Sequence, residues 1–300
     1  MKRNCQGFHW LRILDKQFFA FIAIVLLYCP QSSGTAFVVL VSGNVIVFGA
    51  DGKSIDARAD DMNPIGTRVE QKVLILNDRI LVSSLGVGRI ARVGGGEKTR
   101  IIYEFDSWIK SLPVKNTSSV QDVAEIIAKE CAPIFRDEWA FLSSEGPVPI
   151  QNLSGDPSLP WVGYYIGGNE ILGPEVYFVA IYVDWTSEQL NSPTITQIYP
   201  PSKGVTKYHN IFIRRNSANG GGTDQLFTTN SQTQRKYLKL YDKEVGAAIY
   251  DEPLDVEGLT KLARIMLTLE IETTPKRFDF PITVCSAVPN QRPTCNTYEH

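Results

Sequence analysis

A hairpin of two apolar strands is the feature that most constrains what this 300-residue chain can fold into. Residues 35–50 read TAFVVLVSGNVIVFGA, and two runs rich in Val, Ile and Phe flank the segment Ser42-Gly43-Asn44. β-Branched and aromatic residues favour strands, whereas Gly and Asn favour the tight turn that connects them. The sequence therefore predicts a β-hairpin over these residues.

The rest of the chain alternates between strand-rich and helical segments. Strands are predicted where β-branched and aromatic residues cluster between turn residues: 72–84, 161–184, 280–288 and, joined by long loops, 186–235. Helices are predicted where apolar residues recur every three or four positions: 100–111, 119–137 and 255–272. Pro133 is expected to kink the second helix or to end it early. This order of elements, with neither a repeat nor a linker, predicts a single layered α+β domain over residues 35–300.

The first 34 residues have the layout of a removable export signal. Residues 1–17 carry four basic residues and one acid, and the apolar run over 18–29 is shorter than the roughly 20 residues that span a bilayer as a helix. Ser32 and Gly34 are small, as cleavage between Gly34 and Thr35 requires. We therefore expect a secreted or periplasmic protein that meets the membrane only during export. An uncleaved anchor and a core strand after a misplaced start codon are the alternatives, and a propeptide would leave the protein in the cytoplasm.

Charge and composition exclude several classes of protein. The net charge is −2, and it becomes −5 once the four basic residues and one acid of the leader are removed, so no nucleic-acid partner is expected. Three histidines in the whole chain leave little room for a zinc site, and no metal or cofactor is predicted. Beyond the leader, Cys131, Cys285 and Cys295 can form one bridge at most. A bridge between the last two would hold the C-terminal tail, but the sequence leaves this open.

The residues around Thr35 carry the strongest functional pattern. Asp51 follows Thr35 by 16 residues, and the second predicted hairpin begins at Lys72 and reaches Gly86 14 residues later. With this pattern the chain resembles the mature proteasome β-type subunits, which are N-terminal-nucleophile (Ntn) hydrolases. The family's nucleophile and aspartate have the first separation, and its lysine and oxyanion glycine have the second.

The resemblance is good over residues 35–90 and fair over 100–185, where residues 166–179 are similar to the family's central hairpin. It implies an α+β fold that is a four-layer αββα sandwich of two antiparallel sheets. It also implies autocatalytic cleavage after Gly34, and it leaves room for assembly into a homo-oligomer.

The activity that the resemblance implies is hydrolysis of an amide bond, with peptides as the expected substrates. A free α-amine on Thr35 has a pKa of about 7.7–8.0 and can take the proton of the threonine hydroxyl. Lys72, paired with Asp51, would lower the pKa of that amine, and the N–H of Gly86 would stabilise the oxyanion.

Two further residues are candidates for the site. Ser84 is a candidate for the substrate pocket. Glu272 is the nearest candidate for the family's second aspartate, although the Ser-Gly-Gly turn of the family is missing after it. The chain also departs from the family by five extra residues between Asp51 and Lys72, and by an insertion at 94–96.

Two other functions are compatible with the sequence. One is a non-catalytic proteasome-like subunit or binding module, in which Thr35 is an ordinary strand residue. The other is a different hydrolase that uses Ser83, Ser84 or Cys131 with His209, although the chain has no G-x-S-x-G motif.

Overall fold

The computed structural model describes residues 36–57, 64–93, 99–144, 160–184, 186–187, 189–200, 211–216, 254–273 and 279–299. The chain divides into two compact units, Met1–Gln31 and Ser32–His300, and the described residues all belong to the second. The predicted leader and Thr35 lie outside the described residues. No helix within the described ranges is both long enough and apolar enough to cross a membrane.

The described residues contain sixteen strands and three helices. In chain order the strands are β1 (Phe37–Ser42), β2 (Val45–Asp51), β3 (Lys53–Ala57), β4 (Pro64–Val69), β5 (Val73–Leu76), β6 (Ile80–Gly86), β7 (Arg89–Val93), β8 (Thr99–Glu104), β9 (Val162–Glu170), β10 (Gly173–Ile181), β11 (Val183–Asp184), β12 (Gln189–Leu190), β13 (Thr194–Tyr199), β14 (Ile211–Asn216), β15 (Ile282–Ala287) and β16 (Thr294–Tyr298). The helices are α1 (Phe105–Ser111), α2 (Val120–Ser144) and α3 (Val256–Thr273).

Most strands belong to two five-stranded sheets. The first sheet has the order β14-β1-β2-β15-β16, and the second has the order β13-β10-β9-β6-β5. Three two-stranded ribbons, β3–β4, β7–β8 and β11–β12, complete the set. Every strand pair is antiparallel. The protein is thus a mixed α/β structure with several antiparallel sheets.

The core consists of three apolar clusters. One joins α3 to β1, β2 and β15 of the first sheet, a second joins residues of both five-stranded sheets, and a third joins α1 and α2 to the second sheet. Successive side chains of a strand point to opposite faces. In β1, Val38 and Leu40 accordingly belong to the cluster with α3, whereas Phe37 and Val39 belong to the cluster between the sheets. The first predicted hairpin is therefore buried on both faces.

Two of the predicted elements differ from the structure. The helix expected over 100–111 begins only at Phe105, because Thr99–Glu104 forms a strand that pairs with Arg89–Val93. Pro133 does not end α2, which continues to Ser144. Cys131 and Phe135 are fully buried on either side of this proline, so packing offsets the hydrogen bond that the proline cannot donate.

The C-terminal tail contains a strand that the sequence did not indicate. β16 pairs with β15, and a disulfide between Cys285 and Cys295 joins the two strands with an S–S distance of 1.97 Å. Three polar or proline residues precede β16 and hide its strand character. The bridge that the sequence left open is therefore present.

Candidate functional site

The open end of the first hairpin brings Asp51 to the residue that follows Thr35. The N–H of Asp51 donates to the carbonyl oxygen of Ala36 at 3.1 Å, which continues the β1–β2 ladder by one pair. The N–H of Ala36 donates in turn to Oδ1 of Asp51 at 2.9 Å. The aspartate side chain thus bonds to the backbone at the start of the described chain, while Thr35 itself lies outside the described residues.

Lys72 completes a buried ion pair at this point. Its Nζ lies 3.0 Å from Oδ1 of Asp51, and the two side chains are 6% and 0% exposed. The same oxygen therefore accepts from the ammonium of Lys72 and from the N–H of Ala36. Charges removed from water are costly unless they are paired and hydrogen-bonded, as this pair is. The sequence prediction that Asp51 pairs with Lys72 agrees with this geometry.

The second hairpin fixes the position of Lys72. Lys72 precedes β5, and its carbonyl oxygen accepts the N–H of Ser84 from β6 at 3.2 Å. Ser84 is buried, with 4% of its surface exposed, and it lies two residues before Gly86 at the end of the same strand. Asp51, Lys72 and Ser84 are thus linked by direct hydrogen bonds, and Gly86 follows on β6.

Gly86 occupies a position that only glycine can fill. Its φ is +80°, in the region that side chains disfavour, and an ideal Cβ there would lie 2.2 Å from the carbonyl oxygen of Trp161. The residue is exposed, although the strand that precedes it is buried. A backbone without a side chain, open to solvent and close to a buried ion pair, allows a ligand to approach closely.

Glu272 occupies a different part of the molecule. It lies in the last turn of α3, its side chain is exposed, and α3 packs against the first sheet through other residues. No printed hydrogen bond or ion pair within the described residues joins it to Asp51 or Lys72.

Sequence reasoning missed Glu70. This residue follows β4, and its N–H donates to the carbonyl oxygen of Gly52, the neighbour of Asp51, at 2.8 Å. Its carboxylate lies against Gly88, where an ideal Cβ would be 2.8 Å from Oε2. The approach depends on the β3–β4 ribbon, a segment that the sequence presented only as extra residues between Asp51 and Lys72. The position of Glu70 two residues before Lys72 was the one available signal.

The alternative site around Cys131 is unsuited to nucleophilic chemistry. Cys131 is fully buried in α2, and burial raises the pKa of its thiol to about 12. The reactive form of cysteine is the thiolate, which is scarce at neutral pH when the pKa is this high. Ser83 is also fully buried, and His209 lies outside the described residues. Within the part of the chain that the structure describes, no group of His, Cys, Asp and Glu is suited to hold a metal ion.

Comparison with known proteins identifies structural similarity without sequence similarity. No protein-family model matches the chain, and no curated protein matches it. Among solved structures, the chain is similar to the Gly-1 mutant of Anbu from Hyphomicrobium sp. strain MC1, with 10% identity and a TM-score of 0.43. The alignment covers 88% of this chain and 87% of that chain. At this level of similarity, we base the site and its chemistry on this chain's own residues.

Proposed function

We propose that the chain is an Ntn-type hydrolase that cleaves amide bonds, with peptides as substrates, and that Thr35 is its nucleophile. The observation that carries the proposal is the buried Lys72–Asp51 pair, whose shared oxygen also accepts the N–H of Ala36. Thr35 is joined to Ala36 by a single peptide bond. A cation held at this point lies where it can act on the α-amine and the hydroxyl of residue 35.

The proposed reaction needs only groups of the chain and water. The neutral α-amine of Thr35 takes the hydroxyl proton while the oxygen attacks the carbonyl carbon of the substrate. The negative oxygen that forms is stabilised by the N–H of Gly86. The amine then returns the proton to the leaving nitrogen, the C–N bond breaks, and an ester remains on Thr35. Water, deprotonated by the same amine, hydrolyses this ester and restores the enzyme.

Lys72 and Asp51 have electrostatic roles in this proposal. The positive charge of Lys72 favours the neutral form of the nearby amine, which is the form that accepts a proton. Asp51 balances the charge of Lys72 and holds its side chain in place. Because water is excluded from the pair, its charges act more strongly than they would at the surface.

The layering of the core supports the assignment to the Ntn type. We infer the order helix, sheet, sheet, helix from the three apolar clusters, which join α3 to the first sheet, the first sheet to the second, and the second sheet to α1 and α2. This order is the αββα sandwich that the sequence resemblance implies. The site then lies at the end of both sheets, where β2 ends and β5 begins.

Export is part of the proposal. We propose that the leader directs the chain out of the cytoplasm and that cleavage after Gly34 creates the catalytic amine. The Cys285–Cys295 disulfide supports this, because disulfides persist in oxidising compartments. The uncut precursor would be inert, since the nitrogen of Thr35 is then an amide and cannot accept the proton.

The test compares three variants of the full-length chain after export. Thr35→Ala should lower peptide hydrolysis by about 10³-fold or more, because it removes the nucleophile, while Thr35→Ser should retain measurable activity. Thr196→Ala, on the exposed edge strand β13, is the matched control and should be as active as the parent. Equal activity of the parent and Thr35→Ala would overturn the proposal, and so would the absence of hydrolysis in parent protein that begins at Thr35.

The same variant separates two ways of making the N-terminus. If a signal peptidase makes the cut, Thr35→Ala protein should still be exported and trimmed to residue 35, yet be inactive. Accumulation of uncut Thr35→Ala protein would show an autocatalytic cut and would contradict the coupling of export to activation.

A further inference from the structure

A carboxylate lies beside the candidate oxyanion glycine and takes no part in the proposed chemistry. Glu70 is half-buried, and its Oε2 would be 2.8 Å and its Oε1 3.7 Å from an ideal Cβ on Gly88. The contact exists because residue 88 has no side chain. The N–H of Glu70 donates to Gly52, so the backbone that carries this carboxylate is fixed.

The carboxylate is within reach of a substrate bound at Gly86. Gly88 is two residues from Gly86, and two residues of chain span at most about 7 Å. Glu70 is itself two residues before Lys72 and is bonded to the neighbour of Asp51. A substrate whose carbonyl oxygen meets the N–H of Gly86 would therefore place its nearest side chain in the neighbourhood of Glu70.

The neighbouring charges leave this region negative. Asp51 and Lys72 balance each other, and Arg89, next to Gly88, lies 3.9 Å from Glu104. Glu70 adds one further negative charge at the mouth of the site. A carboxylate offers about four acceptor positions on two oxygens, so it can contact its own chain and still accept from a cation that arrives from solvent.

The chemistry that fits this position is a cation at the end of an apolar stem. Lys and Arg side chains lay their methylene groups along a surface and place the charge at its far end. Val87 lies between the two glycines and is half-buried, so it offers such a surface. The net charge of −5 without the leader also favours the approach of cationic substrates.

We propose that Glu70 determines the specificity of the site for peptides with Lys or Arg at the residue whose carbonyl is attacked. The proposal rests on the proposed amide hydrolysis. Glu70 pairs with the substrate cation, Gly88 leaves the space in which the pair forms, and Gly86 holds the carbonyl oxygen. Glu70 is a specificity residue here and takes no part in bond cleavage.

The test uses two fluorogenic peptides that differ only in Arg or Leu at the residue before the cleaved bond. The parent should prefer the Arg peptide in kcat/KM. Glu70→Gln keeps the shape of the side chain and removes its charge, and it should lower the Arg-to-Leu ratio about tenfold. Glu70→Lys should reverse the preference. Glu125→Gln, which neutralises an exposed glutamate of α2, is the matched control and should leave the ratio unchanged.

A second variant moves the carboxylate and keeps its charge. In Gly88→Ala the new Cβ occupies the place of Oε2, and a flexible carboxylate can move away without disturbing the fold. The ratio should fall, but by less than in Glu70→Gln, and the rate with the Leu peptide should stay close to that of the parent. An Arg-to-Leu ratio that is the same in parent and Glu70→Gln would overturn the proposal.

A binding measurement separates this proposal from the proposed catalysis. Thr35→Ala protein cannot use a threonine hydroxyl, so affinities for uncleaved Arg and Leu peptides can be measured on it by calorimetry. Tighter binding of the Arg peptide that is lost in Thr35→Ala/Glu70→Gln supports the role of Glu70 even if the parent hydrolyses neither peptide. Equal binding of the two peptides overturns it even if both are hydrolysed.

Discussion

The molecule buries ionisable groups in two regions, and it treats them in opposite ways. In the helix-covered cluster, the hydroxyls of Tyr103 and Tyr164 are 2.8 Å apart, and Cys131 lies in the same cluster. Burial raises the pKa of both tyrosines and of Cys131, so these groups remain neutral. At the end of the first hairpin, by contrast, Asp51 and Lys72 form an ion pair with almost no exposure.

The difference indicates which region is built for chemistry. A buried neutral pair costs little once its hydrogen bond is made. A buried ion pair is expensive to desolvate and often stabilises a fold no better than apolar residues of the same volume. The cost of the Asp51–Lys72 pair is thus better explained by the residue that it serves, Thr35, than by stability. Four changes test this comparison.

The largest effect is expected from removing one partner of the ion pair. Lys72→Ala leaves Asp51 charged in a buried position, and the free energy of unfolding should fall by about 3–5 kcal/mol. Activity should also be lost, because no cation remains beside the amine of Thr35. Urea unfolding and peptide hydrolysis measure the two effects. Lys72→Arg, which keeps the charge, is the control for stability. A loss of stability below about 1 kcal/mol in Lys72→Ala would contradict the buried pair.

Removing both charges separates stability from function. In Asp51→Asn/Lys72→Met, the asparagine oxygen can still accept the N–H of Ala36, and no buried charge remains. The double variant should recover to within about 1–2 kcal/mol of the parent stability, since apolar replacements of buried ion pairs are often neutral. Its activity should stay at the level of Lys72→Ala. Recovery of hydrolysis together with stability would mean that the pair is only structural.

The neutral region should respond to alkaline pH. The unfolded chain releases the Cys131 proton near pH 9 and the folded chain only near pH 12, so the folded state binds more protons between these values. Stability from Cys131 is therefore fully present below pH 9 and should fall above it by at most about 1.4 kcal/mol per pH unit. Unfolding curves at pH 8, 9 and 10 measure the slope. Cys131→Ala should have a shallower slope, and equal slopes would refute the assignment.

The smallest effect is expected from the tyrosine pair. Tyr103→Phe removes one hydroxyl and leaves that of Tyr164 without this hydrogen bond, so stability should fall by about 1–2 kcal/mol. Peptide hydrolysis should remain that of the parent, because this pair belongs to the helix-covered cluster. Tyr103→Leu, which also removes the ring, should cost more stability. A change in hydrolysis by Tyr103→Phe at equal folding would connect the two regions and contradict the comparison.

The sequence predicted those parts of the fold that depend on local pattern. The hairpins that begin at residues 35, 72 and 161 and the helices α2 and α3 follow from residue type and periodicity. Thr99–Glu104 was predicted as helix because its strand character comes from pairing with Arg89–Val93, a contact that periodicity does not contain. β16 is held by pairing with β15 and by the disulfide, which composition does not reveal either.

The site was predictable where spacing carried the information. The resemblance paired Asp51 with Lys72, and the structure places their side chains 3.0 Å apart. It gave no role to Glu70, because the contact with Gly88 depends on how the β3–β4 ribbon closes. The proposed specificity therefore comes from the structure, and the proposed nucleophile comes from the sequence.

The most direct test of the central claim is the mass of the N-terminal fragment of the exported protein, before and after treatment with a peptide epoxyketone. This electrophile forms a stable ring only with a residue that presents both a hydroxyl and a free α-amine. The account predicts that the untreated fragment begins at Thr35 and that, after treatment, it gains the mass of one probe molecule. A fragment that begins elsewhere, or an unmodified Thr35 alongside probe bound at another residue, would contradict the account.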